Sequence, residues 1–213
     1  MILILIGPPG AGKGTQCKRL VDRYKLKHLS SGDIFRTEIA SETEIGITAK
    51  KFIDDGKLVP DEIVIEMMTK AVRAAGDCIL DGFPRTVNQA RSLDEALEKD
   101  GCPVKAVVVL KVDDEIVAQR LTNRRVCLHC GASFHLQHSK PAVDGVCDAC
   151  KSKLIHRDDD KAEVISKRLA TYHKQTEPIV EYYNSSGKVV LTVDAGGNID
   201  EITKVLISQI DNI

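Results

Sequence analysis

The 213-residue chain has no tryptophan, and aromatic residues make up only 4% of it. Little flat surface is left for stacking bases along a nucleic-acid strand. A charge excess is missing too. Thirty Lys and Arg stand against 31 Asp and Glu, a formal net charge of -1, so no global field holds a polyanion or an acidic membrane. Long apolar runs are also missing: Met1 to Ile6 is far short of the roughly 20 residues that span a bilayer, and no basic leader precedes it. These absences predict a cytoplasmic chain without membrane or nucleic-acid partners. The composition, 43% apolar and 29% charged, is that of a folded globular chain of one domain, with room for inserted modules.

Short apolar runs alternate with longer amphipathic ones. Met1 to Ile6, Cys78 to Asp81, Ala106 to Lys111 and Val189 to Val193 read as buried strands. Apolar residues at three- and four-residue spacing predict helices over Lys13 to Tyr24, Asp61 to Ala74, Asp113 to Arg125 and Asp158 to Tyr183, the last kinked at Pro178. The alternation predicts an α/β fold with a parallel sheet covered on both faces. Two stretches interrupt it. Ser30 to Pro60 is helical in pattern but strandless, and Val126 to His156 has no helical period; both read as insertions.

After the first strand comes Gly7-Pro8-Pro9-Gly10-Ala11-Gly12-Lys13-Gly14-Thr15, running into a helical pattern. Glycines let successive backbone N–H groups converge, and the helix start adds about half a positive charge, so such a loop cradles polyphosphate, with Lys13 as a mobile cation. A dinucleotide fingerprint would need glycine where Thr15 stands. The usual loop also places Ser or Thr directly after the lysine to ligate magnesium, whereas here Gly14 intervenes. Mg2+ is therefore expected to be held by phosphate oxygens and water, with Asp81 orienting that water and Asp33 as a second candidate.

Seven cysteines are an odd number, and Cys127, Cys130, Cys147 and Cys150 fall within 24 residues. Two Cys-x-x-Cys pairs separated by sixteen residues match two-knuckle tetrahedral zinc, and four thiolates leave no open position, so the metal reads as structural. His129 and His135 are nearby competitors as ligands. Iron or cobalt use the same donors.

The variant Gly12-Lys13-Gly14-Thr15, followed by Ser31-Gly32-Asp33-Ile34-Phe35-Arg36 and Asp81-Gly82-Phe83-Pro84-Arg85, resembles the adenylate kinase family, and the four cysteines resemble its long-lid, zinc-bearing form. The match continues through Gln89, Arg120, Arg124, Arg157 and Arg168. The resemblance implies a P-loop nucleoside monophosphate kinase with a five-stranded parallel sheet, the fifth strand near His28 and Leu29, and two inserted mobile domains. Residues 1–29, 60–121 and 160–213 would form the core, 30–59 an AMP-binding domain, and 122–159 a lid. Transfer of a phosphoryl group from ATP to AMP, giving two ADP, is the implied reaction. It assigns catalysis to Lys13, Arg85, Arg120, Arg124, Arg157 and Arg168. ATP would contact Gly10, Ala11, Gly12, Lys13, Gly14, Thr15, Arg120, Arg124, Ser133, Phe134 and Gly197. AMP would contact Ser31, Arg36, Lys57, Leu58, Val59, Gly82, Phe83, Pro84, Arg85, Gln89, Arg157 and Arg168. Structural Zn2+, Mg2+ with ATP, and a monomer are the implied cofactors and state. Arg120 and Arg124 are four apart in a helical stretch and so are expected to share a face. Two alternatives stand beside this reading, a UMP/CMP-type monophosphate kinase and an ATP-switched zinc-finger nucleic-acid binder.

Overall fold

The computed structural model describes residues 1–213. Five parallel strands run in the order β2-β3-β1-β4-β8, where β1 is Ile2–Ile6, β2 Lys27–Ser30, β3 Cys78–Asp81, β4 Ala106–Lys111 and β8 Val190–Asp194. Central strands buried on both faces need apolar side chains at every position, which is why β1 reads as an unbroken apolar run. Its even residues Ile2, Ile4 and Ile6 join one core with α4 (Asp61–Ala75), α5 (Val87–Lys99) and α8 (Pro178–Ser185). Its odd residues Leu3 and Leu5 join a second core with α1 (Lys13–Tyr24) and α9 (Ile199–Ile210). The strand near His28 and Leu29 is β2, an edge strand only four residues long and half-exposed, too brief to carry a periodic signal.

Two helical expectations are corrected. The helix from Asp113 ends at Thr122 as α6 (Asp114–Thr122), and Arg124 opens a strand, β5 (Arg124–Cys127). Arg120 and Arg124 therefore share no helix face. The apolar period stops at Leu121, while Arg124 is drawn aside by a carboxylate described below. The run from Asp158 is broken into a 3-10 turn at Asp158–Asp160, α7 (Ala162–Thr171), a π-turn at Tyr172–Thr176 and α8. Lys161 is extended, which starts the helix afresh. Pro178 lacks the N–H a continuous helix needs, and the widened turn before it, in which the Glu177 N–H donates to the Tyr172 carbonyl at 2.9 Å, absorbs the break. The apolar face survives: Ile165, Leu169, Tyr172, Thr176, Ile179 and Tyr183 are all buried.

The first insertion is a helix pair, α2 (Ser31–Ala40) and α3 (Glu44–Asp54). The second is a small antiparallel sheet in the order β6-β5-β7, with β6 at Ser133–His135 and β7 at Leu154–Ile155. No helix is long and apolar enough to cross a membrane.

The helix pair is set by a tight approach at Gly46. The Thr43 hydroxyl caps α3 by accepting from the Gly46 N–H at 3.0 Å and donates to a Glu38 carboxylate oxygen at 2.6 Å. A Cβ on Gly46 would stand 2.2 Å from the Glu38 carbonyl oxygen. Gly46→Ala should therefore cost about 1 to 3 kcal/mol as the helices are forced apart, read as a lower urea midpoint. A midpoint equal to that of the parent would contradict the close packing.

Candidate functional site

The phosphate loop, the helix pair and the small sheet face one cleft of about 1170 Å³, larger than a pocket for one small ligand. Every residue expected to touch a nucleotide lines it except Phe83. Phe83 is 1% exposed and its ring packs in the core with α4 and α5, while its neighbours Gly82 and Pro84 line the cleft.

The loop between β1 and α1 is built as a backbone anion receptor. Gly10 and Gly12 take φ of 80° and 93°, which side-chain-bearing residues rarely adopt. No side chain caps α1, so its first N–H groups remain available. Lys13 folds back, donating from Nζ to the Gly7 and Pro8 carbonyls at 2.7 and 2.9 Å. Burial lowers its pKa to about 8, partly offset by the Asp81 charge.

Opposite the loop, guanidinium groups crowd together. Arg85 donates from Nε to the Gly82 carbonyl at 2.6 Å, and its N–H is fixed by the Gln89 amide oxygen at 2.7 Å. Gln89 is itself held through its amide nitrogen by Asp61 at 2.7 Å. Gly82 is required here: at φ 72°, a Cβ would lie 2.8 Å from Arg85 Nη2 and 3.0 Å from the Ser31 hydroxyl. Burial lowers both Arg85 and Arg157 to about 10, with repulsion from Arg168 acting on the first and from Arg36 and Arg124 on the second. Both stay charged at neutral pH. Arg157 Nε is buried without a hydrogen-bond partner. A buried cation lacking its acceptor fits a site meant for an anion brought by substrate.

What holds this repulsive group together is Asp160, whose side chain is 0% exposed. Arg124 grips it in fork geometry, Nε and Nη2 donating at 2.8 and 2.7 Å, and Arg168 adds a third bond at 3.0 Å. Arg168 also pairs with Asp159 at 3.0 Å. Burial pushes Asp159 up, but Arg168, Arg157, Arg124 and Arg36 outweigh it and hold it below the usual carboxylate range. Asp160 was not picked out from the sequence; the only signal was an acidic triplet beside Arg157. Thr176, on the π-turn, was missed as well, and its hydroxyl donates to the Arg85 carbonyl at 2.9 Å. Arg120 stands apart, its fork donating to the Ala195 and Gly196 carbonyls at 2.9 and 3.0 Å and so bracing the turn that presents Gly197.

Asp81 lies at the loop's flank, where burial raises its pKa but the His28 ring, 3.3 Å away, and the Lys13 charge hold it below the usual range. Asp33 pairs with Arg36 and also faces the cleft.

In the small sheet the two cysteine pairs form matched knuckles. Gly131 and Lys151 each take positive φ, and their N–H groups donate to the Cys127 and Cys147 carbonyls at 3.0 and 2.9 Å. Sulfurs sit 3.3 Å apart for Cys127 and Cys150 and 3.5 Å apart for Cys130 and Cys147, with all four within 4.8 Å of one another. Thiolates on one zinc at 2.3 Å bonds are about 3.8 Å apart, so the donor set fits that ion. Ser152, by side chain and then backbone, holds the Cys150 thiol down to about 5. His129 and His135 stay outside the cluster. His135 Nδ1 instead accepts N–H bonds from Gln137 and His138.

A family model described as adenylate kinase matches residues 5–188. The chain belongs to the adenylate kinase family. Proteins named adenylate kinase from Lachnospira eligens and Acetivibrio thermocellus are each 44% identical to it, covering 97% and 100% of this chain and 98% and 99% of their own lengths. One from Finegoldia magna is 46% identical over 99% of both chains. The guanidinium crowd around Asp160 thus sits in an adenylate kinase scaffold.

Asp160→Asn should uncouple Arg124 from Arg168. Losing a partner from a buried ion pair costs 3–5 kcal/mol, and since these arginine heads are about a fifth exposed we expect about 2 kcal/mol. Urea unfolding reads it, and an unchanged midpoint would remove Asp160 from the centre of the network.

Proposed function

We infer that the chain transfers the terminal phosphoryl group of ATP to AMP reversibly, giving two ADP. The observation that carries the reading is the shell of half-buried guanidinium groups, one with an orphaned Nε, facing a backbone phosphate cradle across a cleft roomy enough for two nucleotides.

In this reading 30–59 covers AMP, 122–159 closes over ATP, and the remainder is the rigid core. The first N–H groups of α1 and Lys13 take the β- and γ-phosphates. Arg36 and Arg85 clamp the AMP phosphate. An AMP phosphate oxygen attacks the γ-phosphorus as its bond to the β,γ-bridging oxygen breaks and the electron pair leaves with ADP. Arg124, Arg157 and Arg168 stabilise the charge spread over the transferred group, a role worth on the order of 10^3 or more in rate in related transfers. No general base is needed, because the second ionisation of a phosphate monoester lies near pKa ~6. Mg2+ arriving with ATP would neutralise phosphate charge, and Asp81 and Asp33 are the residues that would hold its water. Ser133 and Phe134 would cover ATP from the lid, while Gly197 faces the adenine. Lys57, Leu58 and Val59 would line the AMP side with Ser31 and Gln89. Zinc held by Cys127, Cys130, Cys147 and Cys150 would fix the lid's shape, since few large apolar residues are there to do so. A monomer in the cytoplasm completes the reading.

ADP formation from ATP and AMP under a magnesium titration tests it: two ADP per AMP consumed, at turnover well above that with UMP or CMP, is expected. ATP binding without ADP formation would overturn it. Lys13 also sets a pH dependence. Its ammonium is present below about 8 and lost above it, and kcat/KM reports the free enzyme. The kcat/KM for ATP should fall as pH rises through about 8 while kcat holds, because bound phosphate keeps Lys13 protonated. A flat kcat/KM up to pH 9.5 would contradict this role.

A further inference from the structure

Besides the lid cysteines, one other group of side chains is set to hold a metal ion: Cys17, His28 and Asp81 each offer a donor atom, and the three donors lie within 4.8 Å of one another. They come from three different elements, α1, β2 and β3, and sheet geometry brings them together. Ser30 is the register partner of Asp81 and His28 that of Ile79, so His28 and Asp81 project from the sheet face that also carries Ile79. Ile79 packs in the core with Cys17 and Leu20 of α1. His28 and Asp81 thus meet the helix at Cys17.

We propose that Cys17, His28 and Asp81 form a second metal site, for a thiophilic divalent cation such as Zn2+, at the floor of the phosphate cleft. Sulfur, imidazole and carboxylate bonded at 2.0 to 2.3 Å place donors about 3.2 to 3.6 Å apart, and the His28 and Asp81 donors already stand at 3.3 Å. Closing the site asks only that Cys17 Sγ come in from within 4.8 Å of its neighbours to about 3.6 Å, a side-chain adjustment. His28 and Asp81 line the cleft while Cys17 does not, so an ion would enter from the cleft, with the thiol as the deep ligand. Binding releases the Cys17 proton. Three protein ligands leave the fourth position open, unlike the closed lid cluster.

The consequence rests on the proposed function: an ion here would occupy the carboxylate assigned to the Mg2+ water, at the end of β3 beside β1 and its loop, and so inhibit transfer. The site itself is independent of that reading and is measured by binding. Holoenzyme with zinc in the lid is dialysed against buffered Zn2+. We expect two zinc per chain, one per chain in Cys17→Ala, and at least tenfold weaker uptake of the second ion in His28→Gln. Only one zinc in the parent, or two retained in Cys17→Ala, would overturn the site. Should Cys17→Ala fail to fold, His28→Gln decides, since unchanged uptake of the second ion also overturns it. In the coupled assay at saturating Mg-ATP, the second ion should slow transfer in the parent and not in Cys17→Ala. Occupancy by dialysis without slowing would overturn the inhibitory role, and that outcome is distinct from a chain that makes no ADP at all.

Discussion

Everything in the cleft follows from placing like charges where water is scarce. Arg36, Arg85, Arg124, Arg157 and Arg168 repel one another, and burial adds a cost that pulls Arg85 and Arg157 to about 10. Asp159 and Asp160 offset part of that cost from behind, and they come from the same short turn that separates the small sheet from α7. The balance is left incomplete on the cleft side. In the proposed function, a polyphosphate completes it.

This arrangement links sequence to mechanism through three kinds of support. The parallel sheet, apolar on both faces, fixes the ends of β1 and β3, and with them the loop, Asp81 and the Gly82 turn. Glycines stand where a side chain would collide or the backbone is left-handed, as at Gly12, Gly46 and Gly82. The broken run from Asp158 to Ser185 does two jobs: its 3-10 turn turns Asp160 inward, and its π-turn hands Thr176 to Arg85 while keeping a buried face on the core.

Local chemistry was legible and distant geometry was not. The loop, the cysteine spacing and the strand-helix alternation are contiguous patterns; the loop, the clustered cysteines and the strands appear where they were read, with two of the helices shortened or broken. β2 was not visible from composition because an edge strand of four residues has no periodicity to show. Arg124 looked helical because spacing cannot register a competing partner thirty-six residues on. Asp160 resembles any surface acid until folding buries it. Phe83, carried over with its motif neighbours, has its ring in the core, a burial that motif position alone does not reveal. Arg120, grouped with the phosphate arginines, spends its fork on carbonyls of the turn before Gly197.

The central claim is that the arginine shell is strained without substrate and exists for phosphate. Arg157 tests it most directly, being half-buried, repelled by Arg36 and Arg124, and buried without a partner at Nε. Its pKa falls below the unfolded value, so the charge opposes folding in the absence of anion. Thermal unfolding of nucleotide-free Arg157→Gln, with turnover measured on the same sample, gives the answer. The account predicts an unchanged or higher Tm with transfer reduced by about 10^2 or more. A Tm lower by several degrees with near-parental turnover would mean that Arg157 serves the fold and not the reaction.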